Sequence, residues 1–266
     1  MLKRTITAII AIAVFVPVCY FSDTAVWPAA MTILSVVAAY EMLKCTGAVH
    51  PALFVPGLVV SAAAPLAAYL FPPTVLFILY VFYLIVYFAA DVFSKGKIDY
   101  QISASAFMGV FYASFSFAAL VLLRGYGPHF YLLVFIGPWV SDTFAYLVGR
   151  AFGKHKLIPE VSPNKTVEGA IGGVVFAAAA FVLYGWIVGR TGRTLGFGLP
   201  VLALMGAVIA VISQIGDLAM SVIKRRYGIK DYGWLFPGHG GVLDRFDSVL
   251  LTAPVLWVFA ACFLFQ

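Results

Sequence analysis

The chain has 266 residues, of which 63% are Ala, Val, Ile, Leu, Met, Phe, Trp, Tyr or Cys and only 11% are charged, against roughly 25% in soluble domains. A water-soluble globule of this composition would expose apolar surface far beyond what soluble monomers carry, and a disordered chain needs the opposite balance. The formal charge of +6 would suggest nucleic acid in a soluble protein, but membrane loops held on the cytoplasmic side collect the same surplus.

Apolar runs of spanning length fall at about residues 6–22, 24–41, 53–71, 73–92, 102–123, 130–149, 167–189, 198–218 and 248–265. They predict an all-α polytopic integral membrane protein with about nine transmembrane helices. Met1-Leu-Lys-Arg4 ahead of the first run has the look of a secretory leader. No small-x-small site follows, and Val18 is too large to precede a lipoprotein-type Cys19, so a retained span is expected. Residues 1–129 make an amino-terminal half of about five spans. Residues 130–266 make a carboxyl-terminal membrane domain of about four, with two longer polar loops at about 150–166 and 219–247. Cys19, Cys45 and Cys262 are odd in number and share no metal-like spacing, so neither a disulfide framework nor a zinc site is expected.

Alternating nine spans places Lys3, Arg4, Lys44, Lys95, Lys97, Arg150, Lys154, Lys156, Lys165, Lys224, Arg225, Arg226, Lys230 and Arg245 on the amino-terminal side, 14 of the 17 basic residues. Arg124, Arg190 and Arg193 fall on the other. The asymmetry puts the amino terminus in the cytoplasm and the carboxyl terminus outside, with both polar loops on the cytoplasmic face.

The first loop reads Phe152-Gly-Lys-His-Lys and then Ser162-Pro-Asn-Lys-Thr-Val-Glu-Gly169. Ser162 and Pro163 suit an N-cap and first helical residue, and Glu168 suits the helix dipole. Lys165 and Thr166 are left as a cation and a hydroxyl at a helix amino terminus, a ready anion site. Asn164-Lys-Thr166 also fits a glycosylation acceptor, against which its cytoplasmic placement argues.

The second loop and the span before it contain Ser213-Gln-Ile-Gly-Asp217, Ser221-Val-Ile-Lys-Arg-Arg226, Lys230-Asp231 and Pro237-Gly-His-Gly-Gly-Val-Leu-Asp-Arg-Phe-Asp247. Cations for phosphate oxygens beside carboxylates for Mg²⁺ are what a nucleotide phosphoryl or nucleotidyl transfer site requires. Gly238, Gly240 and Gly241 allow close backbone approach to an anion. Blander readings stand beside these: Lys224 to Arg226 as an anchor to anionic lipid, Asp244 and Asp247 as partners of nearby arginines, and His239 as a phosphate donor, metal ligand or plain turn residue. An ionisable Asp217 at the end of an apolar run, like Asp142 in Ser141-Asp-Thr143, reads as functional by default. No P-loop, dinucleotide fingerprint or Ser/His/Asp order is present.

The run Ser221 to Asp247 resembles the phosphatidate cytidylyltransferases, whose outline S-x-apolar-K-R, K-D, H-G-G, D-R-x-D is met at every position. Ser141-Asp-Thr-Phe-Ala-Tyr146, Ser162 to Gly169 and Ser213 to Asp217 look like the family's other segments. The resemblance covers about residues 139–266. It implies CTP + phosphatidate → CDP-diacylglycerol + pyrophosphate, with Mg²⁺ on Asp217 and Asp244, and it leaves room for a monovalent cation such as K⁺. It also implies a homodimer in a bacterial inner membrane, with membrane lipid rather than nucleic acid as partner. Lys224, Arg225, Lys230, Arg245 and His239 are expected to hold the triphosphate, with Lys165, Thr166, Ser162, Gly240 and Gly241 adding donors from the two loops. Asp231 and Asp247 are expected to orient cations, and Asp142 to line the cleft for the lipid head. The alternatives are a CTP-dependent lipid or polyprenol kinase and a polytopic transporter, the latter disfavoured by the absence of internal repeats.

Overall fold

The computed structural model describes residues 2–264. Its regular structure runs in the order α1 (Leu2–Tyr20), α2 (Val26–Cys45), α3 (Pro51–Leu70), α4 (Thr74–Phe93), α5 (Tyr100–Arg124), α6 (Leu133–Phe152), β1 (Lys156–Ile158), β2 (Ser162–Thr166), α7 (Val167–Arg190), α8 (Leu199–Arg226) and α9 (Leu243–Phe263). Each apolar run coincides with a helix, as expected of a chain that must satisfy its backbone internally in hydrocarbon. Among the described residues seven helices are long and apolar enough to cross a membrane: α2, α3, α4, α5, α7, α8 and α9. Of the nine expected spans, the one at α6 falls short for a sequence-local reason. The middle of α6 is diluted by Gly137, Pro138, Ser141, Asp142 and Thr143.

The chain folds as two compact units, Met1–Gly125 with Tyr227–Phe246, and Tyr126–Arg226 with Asp247–Gln266. In the first, α2, α3 and α5 pack on one another, α4 lies against α3 and α5, and α1 touches α2. Helix α5 is the centre, with 67% of its apolar window buried against 22% for α4, whose Phe77, Phe82 and Phe88 are left exposed as a lipid-facing side would be. Two buried polar contacts tie its helices together: the Trp27 indole donates to the Leu120 carbonyl at 3.1 Å, and the Tyr80 and Ser114 hydroxyls meet at 3.0 Å. The entry to α5 is capped by Asp99, which accepts from the amides of Gln101 and Ile102.

In the second unit α6, α7 and α8 pack together, and glycines set the spacing. A Cβ at Gly172 would strike Val148, and one at Gly206 would strike the Ala177 carbonyl and the Ala178 Cα. Phe144 and Phe176 stack with ring centroids 3.8 Å apart.

Two local expectations are corrected. Ser162 and Pro163 do not open a helix: Ser162–Thr166 is β2, paired antiparallel with β1 so that Ile158 faces Ser162 and Lys156 faces Thr166. The cap sits four residues later at Thr166, whose Oγ1 accepts from the Gly169 amide at 3.1 Å; hairpin pairing holds the preceding residues extended. The polar loop expected from 219 is helical through Arg226. At 1.5 Å per residue the 28-residue α8 is about 42 Å long, beyond the roughly 30 Å hydrocarbon core. Asp217 lies about 27 Å from its start, at the edge of the apolar layer.

Replacing Gly206 by Val should force α7 from α8 and lower the thermal midpoint of the detergent-solubilised protein by an amount corresponding to about 1–3 kcal/mol of overpacking. Gly189→Ala, at a position with no atom within 4 Å of the added Cβ, should leave the midpoint unchanged.

Candidate active site

In the second unit the Lys165 ammonium, carried in by β2, forms an ion pair with Asp217 on α8. Both side chains are about a quarter exposed, 28% and 23%, so the pair is neither drowned in solvent nor sealed. The segment Ser213 to Asp217 is built around this pair. Gln214 Nε2 donates to Ser141 Oγ on α6 and to the Ala170 carbonyl on α7, both at 3.1 Å. Gly216 leaves room for the Asp247 carbonyl and Leu251 of α9. One turn of α8 thereby ties three helices together and orients the Asp217 carboxylate.

Two further carboxylates lie within electrostatic reach of Asp217: Asp142 on α6 and Asp247 on α9. They are joined through Ser248, whose hydroxyl donates to Asp142 Oδ2 at 3.2 Å and approaches Asp247 Oδ1 at 3.4 Å, while its amide donates to the latter at 2.8 Å. Lys224, in the last turn of α8, acts electrostatically on Asp247. Three acids and two lysines therefore share one neighbourhood, where a cation or a phosphate alters the balance for all of them. Arg225 is exposed one residue on.

Thr166 is buried at 8% exposure. Its hydroxyl serves the Gly169 amide, and a Cβ at Gly149, Gly153 or Gly169 would collide with it. Ser162 is half-buried in the hairpin. Glu168 closes the hairpin base, accepting from His155 Nδ1 at 2.6 Å and from the His155 amide at 3.2 Å.

The glycine segment lies in the first unit. Phe236 to Gly240 forms a tight turn: the Phe236 amide donates to the Gly240 carbonyl at 2.9 Å and the His239 amide to the Phe236 carbonyl at 2.8 Å. Gly238 and Gly240 take φ of +80° and +84°, a region L-residues rarely enter. His239 Nδ1 is buried and makes no hydrogen bond among the described residues. Lys230, Asp231, Gly233, Trp234, Phe236 and Gly238 line a cavity of about 330 Å³. Asp244 is 6% exposed, and its Oδ2 accepts from the amides of Tyr232 at 2.7 Å and Gly241 at 2.9 Å. The Gly241 amide thus points at Asp244 rather than outward. Arg245, beside it, is exposed.

Among the described residues no three His, Cys, Asp or Glu side chains gather into a ready-made metal cage. The available donors are hard carboxylate oxygens, which fit Mg²⁺, an ion that takes one or two protein carboxylates and fills its octahedron with phosphate oxygens and water. They do not suit zinc.

Sequence reasoning missed Glu41 and Ser248, and held Gln214 only as part of its motif segment. Glu41 falls at the end of the second apolar run, where an acid reads as the start of a loop. It is 4% exposed, and its Oε1 and Oε2 accept from the amides of Val242 at 3.0 Å and Leu243 at 2.9 Å. The signal available was an acid still inside the helical period of α2.

The chain matches the model of the cytidylyltransferase family over residues 2–263. It is 34% identical over 263 residues to a phosphatidate cytidylyltransferase of Staphylococcus haemolyticus, covering 95% of this chain and 96% of that one. To the protein of that name from Staphylococcus aureus it is 35% identical over 262 residues, with the same coverage. A Brucella abortus protein, also called phosphatidate cytidylyltransferase, is 49% identical over 158 residues; there the match spans 58% of this chain and 56% of the relative's length.

Glu168→Ala should open the hairpin base, and tryptic cleavage after Lys154 and Lys156 in membranes should accelerate several-fold. Unchanged cleavage would show that strand pairing alone holds the segment.

Proposed function

The chain belongs to the cytidylyltransferase family, and we propose that it is a phosphatidate cytidylyltransferase, converting CTP and phosphatidate into CDP-diacylglycerol and pyrophosphate. The observation that carries this reading is the half-buried Lys165–Asp217 pair, set among Asp142, Asp247 and Lys224 in a chain that matches the family from end to end.

A phosphate monoester oxygen of phosphatidate attacks the α-phosphorus of CTP. The bond from that phosphorus to the β-phosphate oxygen breaks, and pyrophosphate leaves. The second pKa of a phosphate monoester is near 6, so the nucleophile is largely dianionic at neutral pH and needs no strong base. The barrier is repulsion between a dianion and a polyanion, which is lowered by neutralisation and in-line positioning.

Lys165, paired with Asp217, and Lys224, within electrostatic reach of Asp247, are the cations that a phosphate oxygen would meet there. Lys230, lining the cavity, with Arg225, Arg245 and His239, holds the triphosphate and the departing pyrophosphate, and Gly240 and the exposed face of the turn let it come close. Asp231 orients Lys230, Asp247 orients Lys224, and Asp142 faces the lipid head. Asp217 and Asp244 are the carboxylates proposed to hold Mg²⁺, which when bound supplies positive charge to phosphate oxygens. A monovalent cation such as K⁺, a homodimer, and a bacterial inner-membrane location with the site facing the cytoplasm belong to the same reading, the last supported by the distribution of basic residues.

Purified protein given phosphatidate, CTP and Mg²⁺ should release pyrophosphate and form a cytidine-bearing lipid; release of CDP with a phosphorylated lipid would mean a kinase instead. Asp217→Asn and Asp244→Asn should each lower turnover by about 10²-fold or more while the variants still insert into membranes. A normally active Asp244→Asn enzyme would remove that residue from the assignment. Chelation should abolish pyrophosphate release, and added Mg²⁺ should restore it.

A further inference from the structure

We propose that Glu41 is a positioning residue for this reaction: its carboxylate, reaching from α2, clamps the amino terminus of α9 and thereby fixes Asp244 and the glycine turn. The inference rests on the proposed activity for its kinetic consequence, but its geometry stands by itself.

The side chain spans a sequence separation of 201 and 202 residues to reach the Val242 and Leu243 amides, one with each oxygen. These amides are the first donors of α9 and have no helical acceptor. The next carboxylate along, Asp244, takes the neighbouring Gly241 amide together with that of Tyr232. Three consecutive amides, 241 to 243, are therefore divided between two acids, and rotation of either acid moves the shared backbone. The fit is tight on the other side too. A Cβ at Gly233 or Gly241 would run into the Glu41 carboxylate, and Gly233 lines the same cavity as Lys230 and Asp231. Glu41 itself does not line that cavity, so it acts through the segment it holds.

The choice of glutamate follows from the geometry. Two parallel amides need two acceptors, and a negative charge suits a helix amino terminus. Glutamine supplies one acceptor and turns a donor against the other amide. Aspartate is one methylene too short for the same reach.

Glu41→Ala should lower kcat by about 10²-fold, the cost expected when catalytic groups shift by about 1 Å, with KM for CTP changed less than about 3-fold. Glu41→Gln should fall between it and the parent. Amide hydrogen exchange at 241–243 should accelerate in both variants while exchange in α5 stays as in the parent. Gly233→Ala, which pushes the carboxylate from the other side, should cost about 10-fold in the parent and less than about 2-fold in the Glu41→Ala background. Parental kcat in Glu41→Ala, or unchanged exchange at 242 and 243, would overturn the assignment, as would additivity of the two substitutions. If Glu41→Ala does not accumulate in membranes, the Glu41→Gln and Gly233→Ala measurements decide by the same criteria. The exchange measurement needs no substrate, so a parent protein inert towards CTP would refute the proposed activity and leave the clamp to be judged by exchange.

Discussion

Hydrocarbon offers no hydrogen-bond partners, so every charge or backbone group carried into this fold must find one within the chain. That constraint explains where the polar residues sit. The Trp27 indole is answered by a carbonyl, and Ser61, Ser114 and Ser116 return their hydroxyls to carbonyls one turn back. Asp99 and Thr166 cap helices whose first amides would otherwise be orphaned. The same rule governs the buried and half-buried acids. Asp217 is matched with Lys165, Asp142 with Ser248, and Glu41 and Asp244 with backbone amides.

Glycine makes these pairings reachable. A carboxylate or amide on one helix meets its partner on another only if the backbones come close, and the glycines of the motifs stand where that happens. Gly173 leaves room for Ser141 and Gln214, Gly216 for the carbonyl of Asp247, and Gly241 for Glu41. In a soluble site such glycines are read first as phosphate-binding turns. Here Gly238 and Gly240 do bend the chain, while Gly216, Gly233 and Gly241 mainly clear space for protein groups. A conserved-looking glycine pattern in a membrane enzyme thus combines two physical requirements that the pattern itself does not separate.

The reaction proposed for the chain joins two anions, and the arrangement of charge answers that difficulty. In the second unit cations stand beside carboxylates rather than bare: Lys165 is paired with Asp217, and Lys224 lies within electrostatic reach of Asp247; in the first, Lys230 and Asp231 both line the cavity. A lysine held by an acid is positioned before the ligand arrives, so less ordering is left to the moment of reaction. The cost of assembling like charges at the edge of the apolar layer is met by the serine and amide donors that surround them.

From the sequence by itself came the helical class, the position of each apolar run, the amino-terminal excess of basic loops and the motif segments, because hydropathy and charge accumulate along a run and need no knowledge of contacts. Asp217 was legible for the same reason, as an acid out of place at the end of the apolar run within α8. The cap at Thr166 was misplaced by four residues because Ser162 and Pro163 carry strong local signals that strand pairing overrides. The helical extension to Arg226 was hidden because charged residues end a span without ending a helix. Only tertiary structure decided what each polar group touches. Gln214 crosslinks helices, Ser248 joins two acids, and Glu41 meets amides 201 and 202 residues away. A hydrogen bond is a matter of about 3 Å in space, and nothing in the local pattern around Glu41 encodes which distant backbone will arrive within that distance.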